Sequence, residues 1–207
     1  MPSTSGASAW RTQTGGYKSS DWTEIYPSPG NWHSGDYVYD KRGRIVVVGS
    51  SYCTSLDFAQ TWQCKGAVDS SGIDTGIACA NDHCLIGGGE ISPSVSGWVH
   101  ISSDGGSTWS GVRAVTTPYP VRSVLAISLG NVSAPLLIAA GGNFFSGVGG
   151  IYSSSDGGTT WTADLDVGQE FKACRSLALP QRIRVYCVSA GSAGGSIYST
   201  DVLNQLQ

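Results

Sequence analysis

Charge is scarce in this chain. Only 13% of its 207 residues are Asp, Glu, Lys or Arg, the net charge is −3, and the basic residues are scattered. No line of Lys and Arg could track a phosphate backbone, which argues against a nucleic-acid partner. No apolar run approaches the ~18 residues of a membrane-crossing helix. Sustained helical periodicity is absent too, so long helices are not expected. The longest apolar runs, Ile45 to Val48 and Pro135 to Ala140, suit buried strands. A Gly-x-Ser-x-Gly elbow and a Gly-rich phosphate loop are both missing. The opening Met-Pro-Ser-Thr-Ser has no apolar leader core. Either a leader is removed or the chain reaches its compartment another way.

Glycine, by contrast, is abundant at 29 residues, and one short pattern recurs. Ser102-x-Asp104-x-Gly106-x-x-Trp109 returns as Ser154-x-Asp156-x-Gly158-x-x-Trp161. Ser55-x-Asp57-x-Ala59-x-x-Trp62 is a copy with Ala in place of Gly, and Ser199-x-Asp201 begins a fourth. The copies start 47, 52 and 45 positions apart, a period that marks a propeller or similar array. Each copy follows a short strand-like run and precedes another, so it reads as strand, turn, strand. The Asp carboxylate can accept hydrogen bonds from the turn's own N–H groups, as in an Asx turn. Gly permits a backbone conformation that a side chain hinders. The Trp ring covers the turn from its apolar side. These Asp residues therefore read as braces rather than catalysts.

The pattern resembles the Asp box, or BNR repeat, of sialidases, sortilin-type receptors, xyloglucan hydrolases and photosystem assembly factors. The resemblance implies an all-β propeller with the box on the hairpin between the third and fourth strands of each blade, away from the ligand face. It says little about function, because proteins sharing the box do unrelated things.

Six cysteines add detail. Pairing Ser55 with Trp62 across the first hairpin puts Cys53 opposite Cys64. Cys79 and Cys84 bracket the short loop Ala80 to His83, and Cys174 and Cys187 are equidistant from a turn at Pro180-Gln181. Of the 15 connectivities six cysteines allow, these neighbouring-strand pairs fit best; six free thiols are the alternative. Disulfides imply an oxidising location, either secreted, extracellular or in an organelle lumen. Zinc is disfavoured, since Cys79 and Cys84 lack a second matched pair and the three His are dispersed. Asn131-Val132-Ser133 is a glycosylation sequon in a loop.

Residues 1–20 are rich in Ser, Thr and Gly and are expected to form a flexible arm before one propeller domain at 21–207. The blades are expected at about 36–65, 73–112, 121–164 and 171–201. Blade four then lacks an outer strand, and Asp21 to Ile25 could supply it by pairing with Ser196 to Ser199. That pairing would close a four-bladed ring and remove its free edges. A fragment of a larger ring, or two chains forming an eight-bladed one, are the alternatives.

One face of such a ring gathers the candidate binding residues. Gly87 to Pro93 and Gly141 to Ser146 read as loops there, carrying Glu90, Phe144 and Phe145. Connecting loops add Trp32, Tyr119 and Arg122. Paired aromatics in a Gly-rich loop suit a protein partner, unless one folds back over the core. Trp32 and Tyr119 could stack on sugar rings or pack between blades. A sialidase needs an arginine cluster, a Tyr paired with an acid, and an Asp acid/base. Its Arg-Ile-Pro element is absent, and Gln181-Arg182-Ile183-Arg184 matches it only superficially. Asp164 and Asp166 could bind calcium, though an ordinary acidic loop fits them better; no other cofactor is implied. The sequence favours a non-catalytic protein-interaction module, with a sugar-binding propeller second and a glycoside hydrolase third.

Overall fold

The computed structural model describes residues 9–12, 22–25, 32–36, 43–49, 51–69, 72–90, 95–111, 113–130, 133–143, 145–191 and 194–203. The described residues contain no helix. Four antiparallel sheets follow one another along the chain. The first holds β3 (Trp32–Asp36), β4 (Ile45–Gly49), β5 (Ser51–Ser55) and β6 (Gln63–Gly66). The second holds β7 (Ile73–Ala80), β8 (His83–Glu90), β9 (Ser96–Ser102) and β10 (Val115–Thr117). The third holds β11 (Val121–Ile127), β12 (Leu136–Asn143), β13 (Val148–Ser154) and β14 (Thr162–Val167). The fourth has β15 (Glu170–Leu179), β16 (Arg182–Gly191) and β17 (Gly194–Leu203). In each, consecutive strands pair in sequence order, as in a propeller blade. The first strands β3, β7, β11 and β15 run side by side and form the inner wall.

The blades pack face to face through alternating apolar residues. Val46, Val48 and Tyr52 of blade one meet Ile77, Cys84 and Ile86 of blade two. Ala78, Leu85 and Val99 of blade two meet Val121, Val124, Leu137 and Ala139 of blade three. Ile127, Ile138 and Ala140 of blade three meet Phe171, Cys174, Val185 and Cys187 of blade four. All three expected disulfides are present, each joining residues directly opposite in neighbouring strands: Cys53–Cys64, Cys79–Cys84 and Cys174–Cys187.

Several boundaries differ from the sequence reading. Blade one begins at Trp32 rather than Asp36. The outer strand of blade two, expected over Thr108 to Val112, lies at Val115–Thr117. Ser110 and Ala114 donate to the carbonyls of Ile101 and Val99, four residues apart on one strand and two on the other, so the pairing is irregular before β10. The N-terminal arm contains a strand, β1 (Ala9–Thr12), which pairs antiparallel with β2 (Trp22–Ile25). Among the described residues β17 is seen to pair with β16, and no pairing of 22–25 with 196–199 is detected there. On the side of blade four facing away from blade three, the cross-strand pair Val188 and Ile197 is 39% and 74% exposed.

The glycine runs are not loops. Gly87 to Gly89 lie near the end of β8, and Gly141 with Gly142 lie near the end of β12. They are small because the connection entering the next blade passes directly over them. A Cβ on Gly89 would lie 2.5 Å from Pro120 Cα, and one on Gly141 would lie 2.0 Å from the Pro120 carbonyl oxygen. A Cβ on Gly142 would lie 2.6 Å from Glu170 Cα. The Gly142 N–H donates to the Pro120 carbonyl at 3.0 Å, fixing the approach. Gly141→Ala should destabilise the protein by about 1–3 kcal/mol or more, because backbone must move to admit the methyl group. Gly111→Ala, with open space around it, should be near neutral in urea unfolding.

Candidate functional site

The three complete Ser-x-Asp copies form one structure three times. Ser55, Ser102 and Ser154 each donate their hydroxyl to the Asp two residues on, at 2.8, 2.7 and 2.8 Å. Each Ser oxygen accepts the N–H of the residue four on (Ala59, Gly106, Gly158) at 2.8–2.9 Å. The Asp carboxylates also accept the N–H and hydroxyl of Thr61, Thr108 and Thr160. Two consecutive residues after each Asp are left-handed: Gly105 and Gly106, Gly157 and Gly158, and in the first copy Phe58 (φ 57°) and Ala59 (φ 63°). L-residues with side chains adopt this conformation at a cost of order 1 kcal/mol each, so the first turn carries strain that the other two lack.

Trp109 packs on the blade one–two cluster and Trp161 on the blade two–three cluster. Trp62 is half-buried. Ser199 and Asp201 do not form the turn. They lie within β17, and Asp201 accepts a two-pronged contact from Arg184 at 2.5 and 2.8 Å. Val202 and Leu203 follow Asp201 where the other copies have a residue pair able to turn left-handed, and the strand simply continues.

The turns occupy one end of the blades, and the candidate binding residues occupy the other. β13 runs from Val148 to Ser154, so the hairpin joining β12 to β13 is about 20 Å from the Asp156 turn at ~3.3 Å per residue. Phe145 sits on that hairpin, 82% exposed. Its N–H is held by the Asn143 side chain at 2.9 Å, and the Gly147 N–H by the Asn143 carbonyl at 2.9 Å. Phe144 and the side chain of Trp32 fall outside the described residues. Glu90 ends β8, half-buried, and its charge acts on Arg113.

Tyr119 is not a stacking platform: it is 2% exposed and its ring lies 6.3 Å from that of Tyr152. Burial, then the hydrogen bond with Tyr152, pushes its hydroxyl far above the usual tyrosine range. The inward turn follows from the crossing connection, since Tyr119 precedes the Pro120 that lies on Gly89 and Gly141.

Arg122 belongs to a cluster the sequence reading did not assemble. A polar cavity of about 350 Å³ opens on the inner strands β7, β11 and β15, lined by Thr75, Arg122, Ser123, Lys172 and Arg175 among others. Glu170, 1% exposed, takes Arg122 Nε at 3.1 Å on one oxygen and Lys172 Nζ at 2.6 Å on the other. Two cations thus meet one carboxylate, Arg175 bonds the Cys174 carbonyl instead, and the cavity lining carries three cations within an acidic chain. The available signal was a basic residue near the start of two successive inner strands, Arg122 in β11 and Lys172 in β15. A larger cleft of about 520 Å³ lies between blades three and four, with Ile138, Ile151, Leu165, Val185 and Tyr198 along it and Asp164 at its edge. Asp164 and Asp166 are both exposed, and among the described residues no third His, Cys, Asp or Glu joins them in a metal-binding group.

The turn carboxylates predict a pH response. The Thr160 hydroxyl, then its N–H, holds Asp156 down at about 2. Thr61 does the same for Asp57, also at about 2. A carboxylate whose folded value lies below its unfolded ~3.9 contributes stability that is complete above about pH 4 and lost as pH falls toward 2. Asp156→Asn should lower the Tm at pH 7 and flatten the fall of Tm between pH 4 and 2. An unchanged slope would remove the turn from the acid response.

No family model and no curated protein matches the chain. Its fold does match solved structures. One is titled YCF48 bound to D1 peptide, with a TM-score of 0.55 and 15% identity over 99% of this chain and 62% of that one. Another is the Hadza microbial sialidase Hz136, with a TM-score of 0.59 and 16% identity over 94% of this chain and 43% of that one. The chain therefore spans less than two thirds of either. At these identities the likeness is one of architecture, and together with the stacked three- and four-stranded sheets it makes the chain an all-β protein of the propeller fold.

Proposed function

We propose that this chain is a non-catalytic protein-binding module of the Asp-box type, in which residues 21–207 act as one domain. It would engage an extended, acidic segment of a partner on the face opposite its Ser-x-Asp turns. The observation that carries this reading is Phe145, an exposed ring on a hairpin tip whose backbone is braced by Asn143. A pre-ordered aromatic loses little entropy on docking and suits a binding anchor. The same hairpin leads back to Gly142, against the backbone of Glu170, and so to the cavity holding Arg122, Lys172 and Arg175. Cations around a cavity favour a partner carboxylate and speed its encounter. The solved propeller titled as YCF48 bound to a D1 peptide supports a peptide-like partner for this architecture. Three disulfides support an oxidising compartment, lumenal or extracellular. A sugar-binding reading is weakened by the burial of Tyr119, one of its two stacking candidates.

Peptides selected on the immobilised chain from a random display library should be enriched in Asp, Glu and aromatic residues. Phe145→Ala and Arg175→Gln should each weaken the best peptide about tenfold or more with Tm unchanged, and raised salt should weaken it further. If both variants bind like wild type, the face is not the binding site. If basic peptides are selected instead, the charge argument fails.

A further inference from the structure

The indole that follows a Ser-x-Asp turn packs back on the blade before it. Trp109, seven residues after Ser102, stands against the cluster joining blades one and two, its ring centre 6.2 Å from that of Tyr52 and edge-on to it. Trp161, seven after Ser154, stands against the cluster joining blades two and three. Register sets the wall that receives them. Tyr52, Val99 and Ile151 each lie three residues before a turn Ser, and Val46, Leu85 and Ile138 each pair with the residue just before it. Tyr52 and Val46 belong to the first cluster, Val99 and Leu85 to the second.

The third pair in that series, Ile151 with Ile138, lines the cleft of about 520 Å³ between blades three and four. Ser153 lines it too, at the position from which Thr54 bonds the Gly106 carbonyl one interface earlier. Opposite stand Tyr198, Thr200 and Val202 of β17. Here the repeat breaks. Ser199-x-Asp201 continues as strand, and the position seven beyond Ser199 is Leu206, outside the described residues, rather than Trp. Blade four has three strands among the described residues where the others have four. Asp164 is exposed at the edge of the cleft and makes no ion pair among the described residues.

We propose that this cleft is a socket for a tryptophan side chain carried on an extended, basic segment of a partner protein, which adds to β17 as the outer strand of blade four. Indole is the group that the same wall positions hold twice elsewhere in the molecule. The ten-residue edge of β17 offers main-chain hydrogen bonds to such a segment. Asp164 favours a Lys or Arg beside the Trp. The cleft has the size of pockets that enclose a small ligand or a large side chain. Trp22 of this chain stands in β2, paired with β1, which leaves the socket to an outside segment. The socket lies at the turn end of the blades and selects basic neighbours, so it is separate from the Phe145 face and its positive cavity.

Methyl NMR on the full chain, titrated with the peptide acetyl-Lys-Thr-Trp-Thr-Lys-amide, tests this. The Ile138, Ile151 and Leu165 methyls should shift saturably, while those of Ile77 and Ile86 between blades one and two stay in place. Exchanging the peptide's Trp for Leu, or both Lys for Glu, should each weaken binding about tenfold or more. Tryptamine alone should bind more weakly than the peptide. Thr200→Trp, which fills the cleft from its exposed wall, should abolish the shifts, and Asp164→Asn should erase the preference for Lys over Glu. Should Thr200→Trp fail to fold, the peptide series on the wild type decides. Absence of saturable shifts, equal binding of the Leu peptide, or tighter binding of tryptamine would overturn the proposal. So would binding seen only in Trp22→Ala, since the chain's own N-terminal strand would then be the occupant.

Discussion

Backbone crosses backbone in this structure with no side chain between. The connection between two blades runs over glycine-rich strands of the blades it joins, and Gly89, Gly97, Gly141 and Gly142 have no room for even one more carbon. This approach fixes where each inner strand begins. It turns Tyr119 inward, and it sets Glu170 beneath Gly142, where its carboxylate gathers Arg122 and Lys172. The positive cavity and the Phe145 hairpin are thus outcomes of how the blades are threaded together. A polar cluster on such a base is held by packed main chain rather than by mobile loops, as a preorganised binding surface requires.

The Ser-x-Asp turns do a separate task at the other end of the blades. Their carboxylates accept hydrogen bonds from the Ser, the Thr and the backbone of the same turn. The first turn keeps the same bonds even though Phe58 and Ala59 must adopt a conformation better suited to glycine. The hydrogen-bond network outweighs the local backbone preference, consistent with a bracing role.

What was legible in the sequence was what neighbouring strands decide between themselves. The repeat spacing, the alternation of apolar residues and the cysteines opposite one another all follow from hairpin register, which is local. The blades and the three disulfides emerged from these. What was not legible arises between blades. Tyr119 looked like a loop aromatic because nothing nearby in sequence shows that Pro120 lies across Gly141. Ser110 looked like part of a strand because the His100 ring that bonds its carbonyl is read only from the fold. Arg122 was singled out alone, while Lys172 and Arg175 lie a whole blade further along the chain. Phe145 was singled out from its glycine-rich setting, although the glycines before it proved to belong to a strand.

Each covalent bridge lies inside a single hairpin, with its cysteines 5, 11 or 13 residues apart, and none ties one blade to another. The contacts between blades are wholly noncovalent. Mechanical load applied to the two ends would therefore peel modules apart in succession rather than stretch the molecule evenly. Three of the four modules would then stop extending at their own sulfur link, leaving blade three as the one able to pay out its entire length.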